Sequence, residues 1–141
     1  MEQYIEFIGN HPFLIAALGL TMAMLMFHEF QRASAAGSAI SVNQATRMQN
    51  DSDALFLDVR DGAAFKAGHL IDARNIPLKT LTGKVSELAK FKDKPIIAYC
   101  ESGIQSGKAC NLLRKEGFTE LYSLQGGLTA WEKASLPVVT K

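Results

Sequence analysis

The sequence predicts a three-layer α/β domain, a central parallel sheet with helices on both faces, preceded by one N-terminal transmembrane helix. Two observations predict this architecture. Short apolar runs, typical of strands buried on both faces, alternate with helical patterns through the second two-thirds of the chain. An uncharged apolar run near the N-terminus is about long enough to cross a bilayer. With 141 residues, the chain has room for one such domain and a short appended segment.

The N-terminal apolar run, PFLIAALGLTMAMLMF at residues 12–27, contains no charged residue. With its apolar flanks it approaches the roughly 20 residues that a spanning helix needs. Its apolar residues surround the predicted helix rather than forming one stripe, which disfavours a helix lying on the membrane surface. We therefore predict a transmembrane anchor at residues 1–30, a flexible linker at 31–39, where the sequence is small and polar, and a domain at 40–141.

Two alternatives to the anchor remain open. A cleaved signal peptide is one, because residues 33–35, ASA, resemble a cleavage site, although Glu2 and Glu6 replace the usual basic start. The buried helix of a soluble protein is the other. If the helix spans, Arg32 and Arg47 on its C-terminal side predict an external N-terminus and a cytoplasmic domain, because basic flanks stay inside.

Alternating elements are predicted along the domain segment. Strands or short extended pieces are predicted at AIS near residue 40, ALFLDVR (54–60), ARNIP (73–77), PIIAYC (95–100) and TELYSL (119–124). Helices are predicted after a cap at Ser41 or Asn43 and at AAFKAG (63–68), GKVSELAKF (83–91), SGKACNLLRKEGF (106–118) and GGLTAWEKASLP (126–137). Ligands of parallel sheets bind at the carboxyl ends of strands, where Asp58, Arg60 and Cys100 stand.

The segment CESGIQS, residues 100–106, joins a predicted strand to a predicted helix. The thiolate is the reactive form of cysteine, and a helix N-terminus offers unpaired N–H groups and a positive dipole end that favour an anion. Gly103 permits the tight turn that such a loop requires. We therefore predict an anion cradle of six residues, Cys100 to Gln105, between strand and helix. The alternative is that Cys100 is a small buried residue at a strand end.

The loop CESGIQS resembles the active-site loop of rhodanese-like domains, whose pattern is Cys-x-x-Gly-x-Arg-Ser or close to it. The resemblance extends from residue 40 to residue 137 and includes LDVRDGAAFKAGHLIDARNIP at 57–77 and LQGGLTAW at 124–131. In this order and spacing the motifs are highly specific. With its apolar N-terminus, the chain resembles small membrane-anchored rhodanese-like proteins of bacteria, which implies a location in the inner membrane.

This resemblance implies sulfur transfer without a metal or organic cofactor. Cys100 would attack a sulfur donor and become a persulfide, and a thiol acceptor would then remove that sulfur. The lipid bilayer and a membrane protein are further expected partners, whereas the net charge of +1 gives no case for nucleic acid. The persulfide anion would be stabilised by backbone N–H groups of the cradle residues, which are Glu101, Ser102, Gly103, Ile104, Gln105 and Ser106.

Two departures from the family pattern stand out. Gln105 occupies a position where Arg is frequent, and Glu101 adds a negative charge beside Cys100. We therefore expect weak activity with thiosulfate, an anionic donor. Ala64 stands where the family often has Glu, so Arg60 is expected to lose a usual ion-pair partner.

Several roles remain open at the level of sequence. Asp58 and Arg60 either orient a substrate or form a salt bridge that ties loops together. Cys110 is expected in the core, and His69 is expected to be structural rather than a proton carrier. A phosphatase is disfavoured, because its Cys-x5-Arg loop requires Arg where Ser106 stands. The alternative function is a non-catalytic, membrane-tethered protein-binding module, motivated by the missing loop cation and the anchor.

Overall fold

The computed structural model describes residues 1–36 and 39–140. The chain divides into two compact units, Met1–Ser34 and Ala35–Lys141. The N-terminal unit is helical, and the second unit contains the sheet.

Two helices, α1 (Glu2–Asn10) and α2 (Pro12–Ala36), form the N-terminal unit. The helical backbone is interrupted at His11, because a proline cannot continue a preceding helix, although it suits the first position of the next helix. Within α2, Pro12–Phe30 is long and apolar enough to cross a membrane, judged by length and composition. Helix α2 also continues through residues 31–36, where a flexible linker was predicted, because alanine favours helix. Residues 37 and 38 of that predicted linker lie outside the described residues.

A five-stranded sheet forms the centre of the second unit, in the order β1-β5-β4-β2-β3. Every pair of neighbouring strands is parallel, and Ala98 of β4 lies opposite both Leu57 of β2 and Ser123 of β5. The predicted central parallel sheet is therefore confirmed. The strands are β1 (Ala39–Ile40), β2 (Leu55–Asp58), β3 (Arg74–Asn75), β4 (Ile96–Tyr99) and β5 (Leu121–Leu124).

Four α-helices and two 3₁₀ segments surround this sheet. They are α3 (Val42–Ser52), α4 (Gly62–Ala67), α5 (Ile104–Lys115), α6 (Gly127–Lys133) and the 3₁₀ segments Leu78–Thr80 and Thr82–Phe91. Ser41, not Asn43, caps α3: its Oγ accepts from the N–H of Gln44 at 3.2 Å, and its own N–H donates to Gln44 Oε1 at 2.9 Å. This reciprocal pair satisfies two N–H groups that a helix start otherwise leaves without partners.

The segment predicted as an amphipathic helix at residues 83–91 is helical but winds as a 3₁₀ helix. Glycine and β-branched residues have low α-helix propensity, and Thr82, Gly83 and Val85 occupy its first turns. Such segments commonly serve as connectors, as this one does between β3 and β4.

The apolar core has two parts, one on each face of the sheet. In β4, Ile96 and Ala98 belong to one cluster, which α5 covers through Leu113. Ile97 and Tyr99 belong to the opposite cluster, which includes residues of α3 and α6. This alternation follows from the two-residue period of a strand. The helix, sheet and helix layers confirm the predicted three-layer fold.

Cys110 of α5 lies in the first cluster, as predicted, and its thiol donates to the carbonyl oxygen of Tyr122 at 3.3 Å. Burial raises the pKa of Cys110 to about 11, because a thiolate would be poorly solvated there. The side chain is therefore a protonated core residue at neutral pH.

We expect a Cys110→Ala variant to lose less stability at alkaline pH than the wild type. In the unfolded chain the thiol ionises near its ordinary pKa of 9.0, whereas the folded protein keeps the proton to about 11. Between these values the unfolded state binds fewer protons, so the free energy of unfolding falls as pH rises. Denaturant unfolding should show the wild type losing about 1 kcal/mol more than the variant between about pH 8 and about pH 10. Identical pH dependence in the two proteins would contradict this expectation.

Candidate active site

Three loops meet at the carboxyl edge of the sheet. Arg60 follows β2, Cys100 follows β4 and Gly126 follows β5. Because β4 pairs in parallel with both β2 and β5, these loops leave neighbouring strands at the same edge. This is the edge at which α/β proteins bind ligands.

The loop of Cys100 is shorter than the sequence predicted. Strand β4 ends at Tyr99 and α5 begins at Ile104, so four residues rather than six separate them. Gly103 has a φ of 96°, a left-handed conformation that glycine adopts without strain, and it turns the chain directly into the helix. Residues 104–106 therefore form the first turn of α5, where backbone N–H groups have no partners within the helix.

The sulfur of Cys100 lies against this backbone. The N–H of Gly103 donates to Cys100 Sγ with an N–S distance of 3.0 Å, and Ser106 Oγ lies 3.8 Å from Sγ. Cys100 is only 2% exposed. An N–H dipole aimed at a sulfur stabilises negative charge on it, so the loop has the chemistry of an anion cradle.

Of the six predicted cradle residues, the structure brings Gly103 and Ser106 to the sulfur. The side chains of the other four are exposed, and they are Glu101, Ser102, Ile104 and Gln105.

A buried pair of hydroxyl groups, those of Ser106 and Ser123, supports the loop. Ser106 Oγ donates to the carbonyl oxygen of Gly103 at 3.0 Å and lies 2.7 Å from Ser123 Oγ. Because the Ser106 proton is directed to Gly103, Ser123 is the donor between the two hydroxyls. Ser123 was not predicted from the sequence, where its signal is a polar residue in a short strand whose other members are apolar or aromatic.

The start of α6 holds the loop from another side. The N–H of Leu128 donates to the carbonyl oxygen of Cys100 at 2.8 Å. The N–H and Oγ1 of Thr129 donate to the carbonyl oxygen of Glu101 at 3.2 and 3.0 Å. Gly127 allows this approach: a Cβ there would overlap the Cys100 carbonyl oxygen and lie 2.7 Å from the Glu101 carbonyl carbon. These bonds fix the peptide groups that follow Cys100 and Glu101, and so hold the loop that carries the sulfur.

Arg60 makes polar contacts in three directions. Its Nε and Nη2 donate to the carboxylate of Asp58 at 2.7 to 3.2 Å, and Nη2 also donates to the carbonyl oxygen of Gly68 at 2.6 Å. Its Nη1 donates to Glu101 Oε2 at 3.0 Å. Arg60 and Asp58 are 8% and 0% exposed, so this is a buried ion pair that one exposed carboxylate joins.

Ala64 offers Arg60 no carboxylate, so the usual family partner is missing as expected, but another residue takes its place. Glu101, a residue of the Cys100 loop, provides a second carboxylate after Asp58. Burial by itself lowers the pKa of Arg60, but the hydrogen bond and charge of Asp58, together with the hydrogen bond to Glu101, raise it above its ordinary value. The guanidinium remains charged and ties the β2 loop to the Cys100 loop.

Two further polar side chains complete this cluster. Asn75 Nδ2 donates to the carbonyl oxygens of Asp58 and Arg60, at 3.1 and 2.9 Å, and closes the turn after β2. The hydroxyl of Tyr99 accepts from the N–H of Leu70 at 3.1 Å. Burial, and then the charge of Asp58, raise the pKa of Tyr99 well above its ordinary value, so the phenol stays neutral.

His69 makes the contacts of a structural residue, as expected. Its Nδ1 lies 2.7 Å from the carbonyl oxygen of Phe65, and the two rings stack with centroids 3.7 Å apart. Its backbone pairs with Val139 in both directions at 2.9 Å.

The fold and this site define an α/β domain that presents a cysteine within a backbone loop at the carboxyl edge of a parallel sheet. The family model described as Rhodanese-like domain matches residues 41–134. The chain belongs to the rhodanese-like domain family, which confirms the resemblance found in its motifs.

Known relatives agree with this assignment. The chain is 35% identical over 141 residues to the uncharacterized protein YibN of Escherichia coli (strain K12), covering 99% of this chain and 98% of that one. It is 34% identical to the thiosulfate sulfurtransferase GlpE of Shewanella oneidensis, over 68% of this chain and 93% of that one. A rhodanese-related protein of Thermoplasma volcanium has a similar structure, with a TM-score of 0.66, 25% identity and coverage of 73% and 98%. Family and relatives together support a sulfurtransferase-type function.

We expect Gly127→Ala to disrupt the Cys100 loop. A methyl group at this position collides with the backbone of Cys100 and Glu101, and the φ of +59° disfavours alanine. A displacement of about 1 Å at a reacting group can lower a rate about 100-fold, and we expect a loss of that order in sulfurtransferase activity. Gly83→Ala is the matched control, because nothing lies within 4 Å of a Cβ there. Equal rates for the two variants would contradict the role given to Gly127.

Proposed function

We propose that the protein is a membrane-anchored sulfurtransferase that carries sulfane sulfur as a persulfide on Cys100. The observation that carries this proposal is the N–H of Gly103, directed at Cys100 Sγ at 3.0 Å beside the start of α5. A persulfide on this cysteine is an anion, and backbone dipoles at this position stabilise it. Membership of the rhodanese-like family and the sulfurtransferase relatives support the same chemistry.

The proposed reaction has two balanced steps. The thiolate of Cys100 attacks the outer sulfur of a donor, so that a new S–S bond forms at Sγ. The donor's bond to that sulfur breaks and its electron pair leaves with the remaining fragment, which is sulfite when the donor is thiosulfate. An acceptor thiolate then attacks the outer sulfur of the persulfide, and the electron pair returns to Cys100 Sγ. One sulfur atom is transferred, and neither an external oxidant nor a reductant is consumed.

The cradle residues divide this work by their position. The N–H groups of residues 101–106 stabilise the persulfide anion, and Ser106 Oγ lies beside its inner sulfur. Asp58 and Arg60 hold the loop in place through Glu101. Because uncharged Gln105 stands where a loop cation would attract an anionic donor, we propose that activity with thiosulfate is weak.

The proposed anchor is residues 1–30, followed by the linker at 31–39 and the domain at 40–141. Support comes from the apolar stretch Pro12–Phe30 and from the absence of Lys and Arg before Arg32. The proposed location is the bacterial inner membrane, with the N-terminus outside and the domain in the cytoplasm. The proposed partners are a sulfur donor and a thiol acceptor, together with the lipid bilayer and a membrane protein.

The full chain, purified in detergent and incubated with cysteine persulfide, should gain the mass of one sulfur atom on Cys100. Mass spectrometry of the peptide that contains residues 100–106 locates the added sulfur, and a reducing thiol should remove it. Cys100→Ser is the control, because it retains the loop but offers no thiol. Absence of the adduct with both cysteine persulfide and thiosulfate would refute the sulfurtransferase proposal.

We expect the full chain to remain in the membrane fraction after alkaline washing, and a chain that begins at residue 31 to be soluble. The intact mass of the membrane-bound protein distinguishes an anchor from a signal peptide cleaved near residue 35.

Comparison of Cys100→Ser with the truncated chain in cells separates catalysis from recruitment. A cellular phenotype that survives Cys100→Ser but not the truncation would favour the binding-module alternative over the sulfurtransferase.

A further inference from the structure

We propose that Glu101 is a specificity-determining residue that selects against dianionic sulfur donors by occupying the outward N–H of Arg60. This inference rests on the proposed sulfurtransferase function and names the class of donor that the site prefers. That class is donors with at most one net negative charge, such as a low-molecular-weight persulfide.

Without Glu101, the guanidinium of Arg60 could bind an anion at the Cys100 loop. Its Nε and Nη2 face the fully buried Asp58, whereas Nη1 faces the Cys100 loop. On that side its partner is Glu101, which is 64% exposed. An anion approaching the loop from solvent therefore meets the carboxylate of Glu101 before it meets the guanidinium.

The summed charge of Asp58, Arg60 and Glu101 determines how these residues affect an incoming donor. Arg60 and Asp58 neutralise each other, so Glu101 leaves the three residues with one net negative charge beside Cys100. The position where the family often has Arg is occupied by uncharged Gln105, and no other residue of the loop segment 100–106 is charged. The local charge therefore opposes a donor in proportion to the donor's own negative charge.

The backbone cradle responds differently to donor charge. The N–H of Gly103 and the start of α5 stabilise the sulfur anion on Cys100, which is the same species whichever donor supplied it. The charge of Glu101 acts on the whole incoming donor. Discrimination between donors therefore arises at Glu101, whereas the capacity to hold a persulfide arises in the backbone.

The test compares wild type with Glu101→Gln, using the full chain in detergent and measuring the rate at which Cys100 gains sulfur. Gln retains an oxygen that accepts from Arg60 but removes the charge. We expect the second-order rate constant with thiosulfate, a dianion, to rise about tenfold. Because Coulomb energy is proportional to the donor's charge, the rate constant with singly charged cysteine persulfide should rise only about threefold. Both gains should shrink as salt is added, since salt screens exposed charges.

One further variant makes the result specific. Glu120→Gln removes the same charge just before β5, at the opposite edge of the sheet, and should leave both rate constants unchanged. Thermal unfolding of each variant verifies that the fold is intact, and the exposed position of Glu101 favours this.

The inference is overturned if removal of the Glu101 charge leaves the rate constant with thiosulfate unchanged, or raises the rate constants with both donors by the same factor. This outcome differs from failure of the proposed function. If wild-type protein accepts sulfur from cysteine persulfide but Glu101→Gln shows no preferential gain with thiosulfate, only the inference fails. If neither wild type nor variants accept sulfur from either donor, both fail.

Discussion

The parallel pairing of β4 with both β2 and β5 is the constraint on which the site depends. It buries β4 on both faces, which requires the apolar sequence of Ile96–Tyr99 and places helices on each side. It also brings three loops to one edge, so that residues distant in sequence hold the loop that carries Cys100. The first residue after β4 is Cys100, and it takes its position from strands rather than from its own loop.

Backbone groups, more than side chains, define the chemistry at that edge. The Gly103 N–H contacts the sulfur, while the N–H groups of Leu128 and Thr129 hold the carbonyl oxygens of the loop. Glycines at positions 103 and 127 permit these close approaches. Peptide dipoles stabilise an anion without titrating themselves, and side chains at the rim remain free to change which donor is accepted.

Local patterns made the fold predictable, and non-local contacts explain what the sequence did not reveal. Continuous apolar runs identified the strands at 54–60, 95–100 and 119–124, and the glycine pattern identified the turn at Gly103. The hydroxyl pair of Ser106 and Ser123 joins α5 to β5, which no spacing rule connects. The bond between Arg60 and Glu101 likewise joins residues 41 positions apart. The start of α5 also escaped prediction, because the left-handed turn at Gly103 lets this helix begin two residues early.

The buried thiol of Cys110 has a consequence for the fate of sulfur in the proposed cycle. This thiol is the only other one in the chain, and it is held protonated while donating to Tyr122. A protonated thiol does not attack a persulfide, so a loaded Cys100 has no intramolecular route to a disulfide. The persulfide sulfur can therefore leave only to another molecule, and its lifetime depends on how often an acceptor is encountered. The frequency of such encounters would then govern turnover as much as the loop itself does.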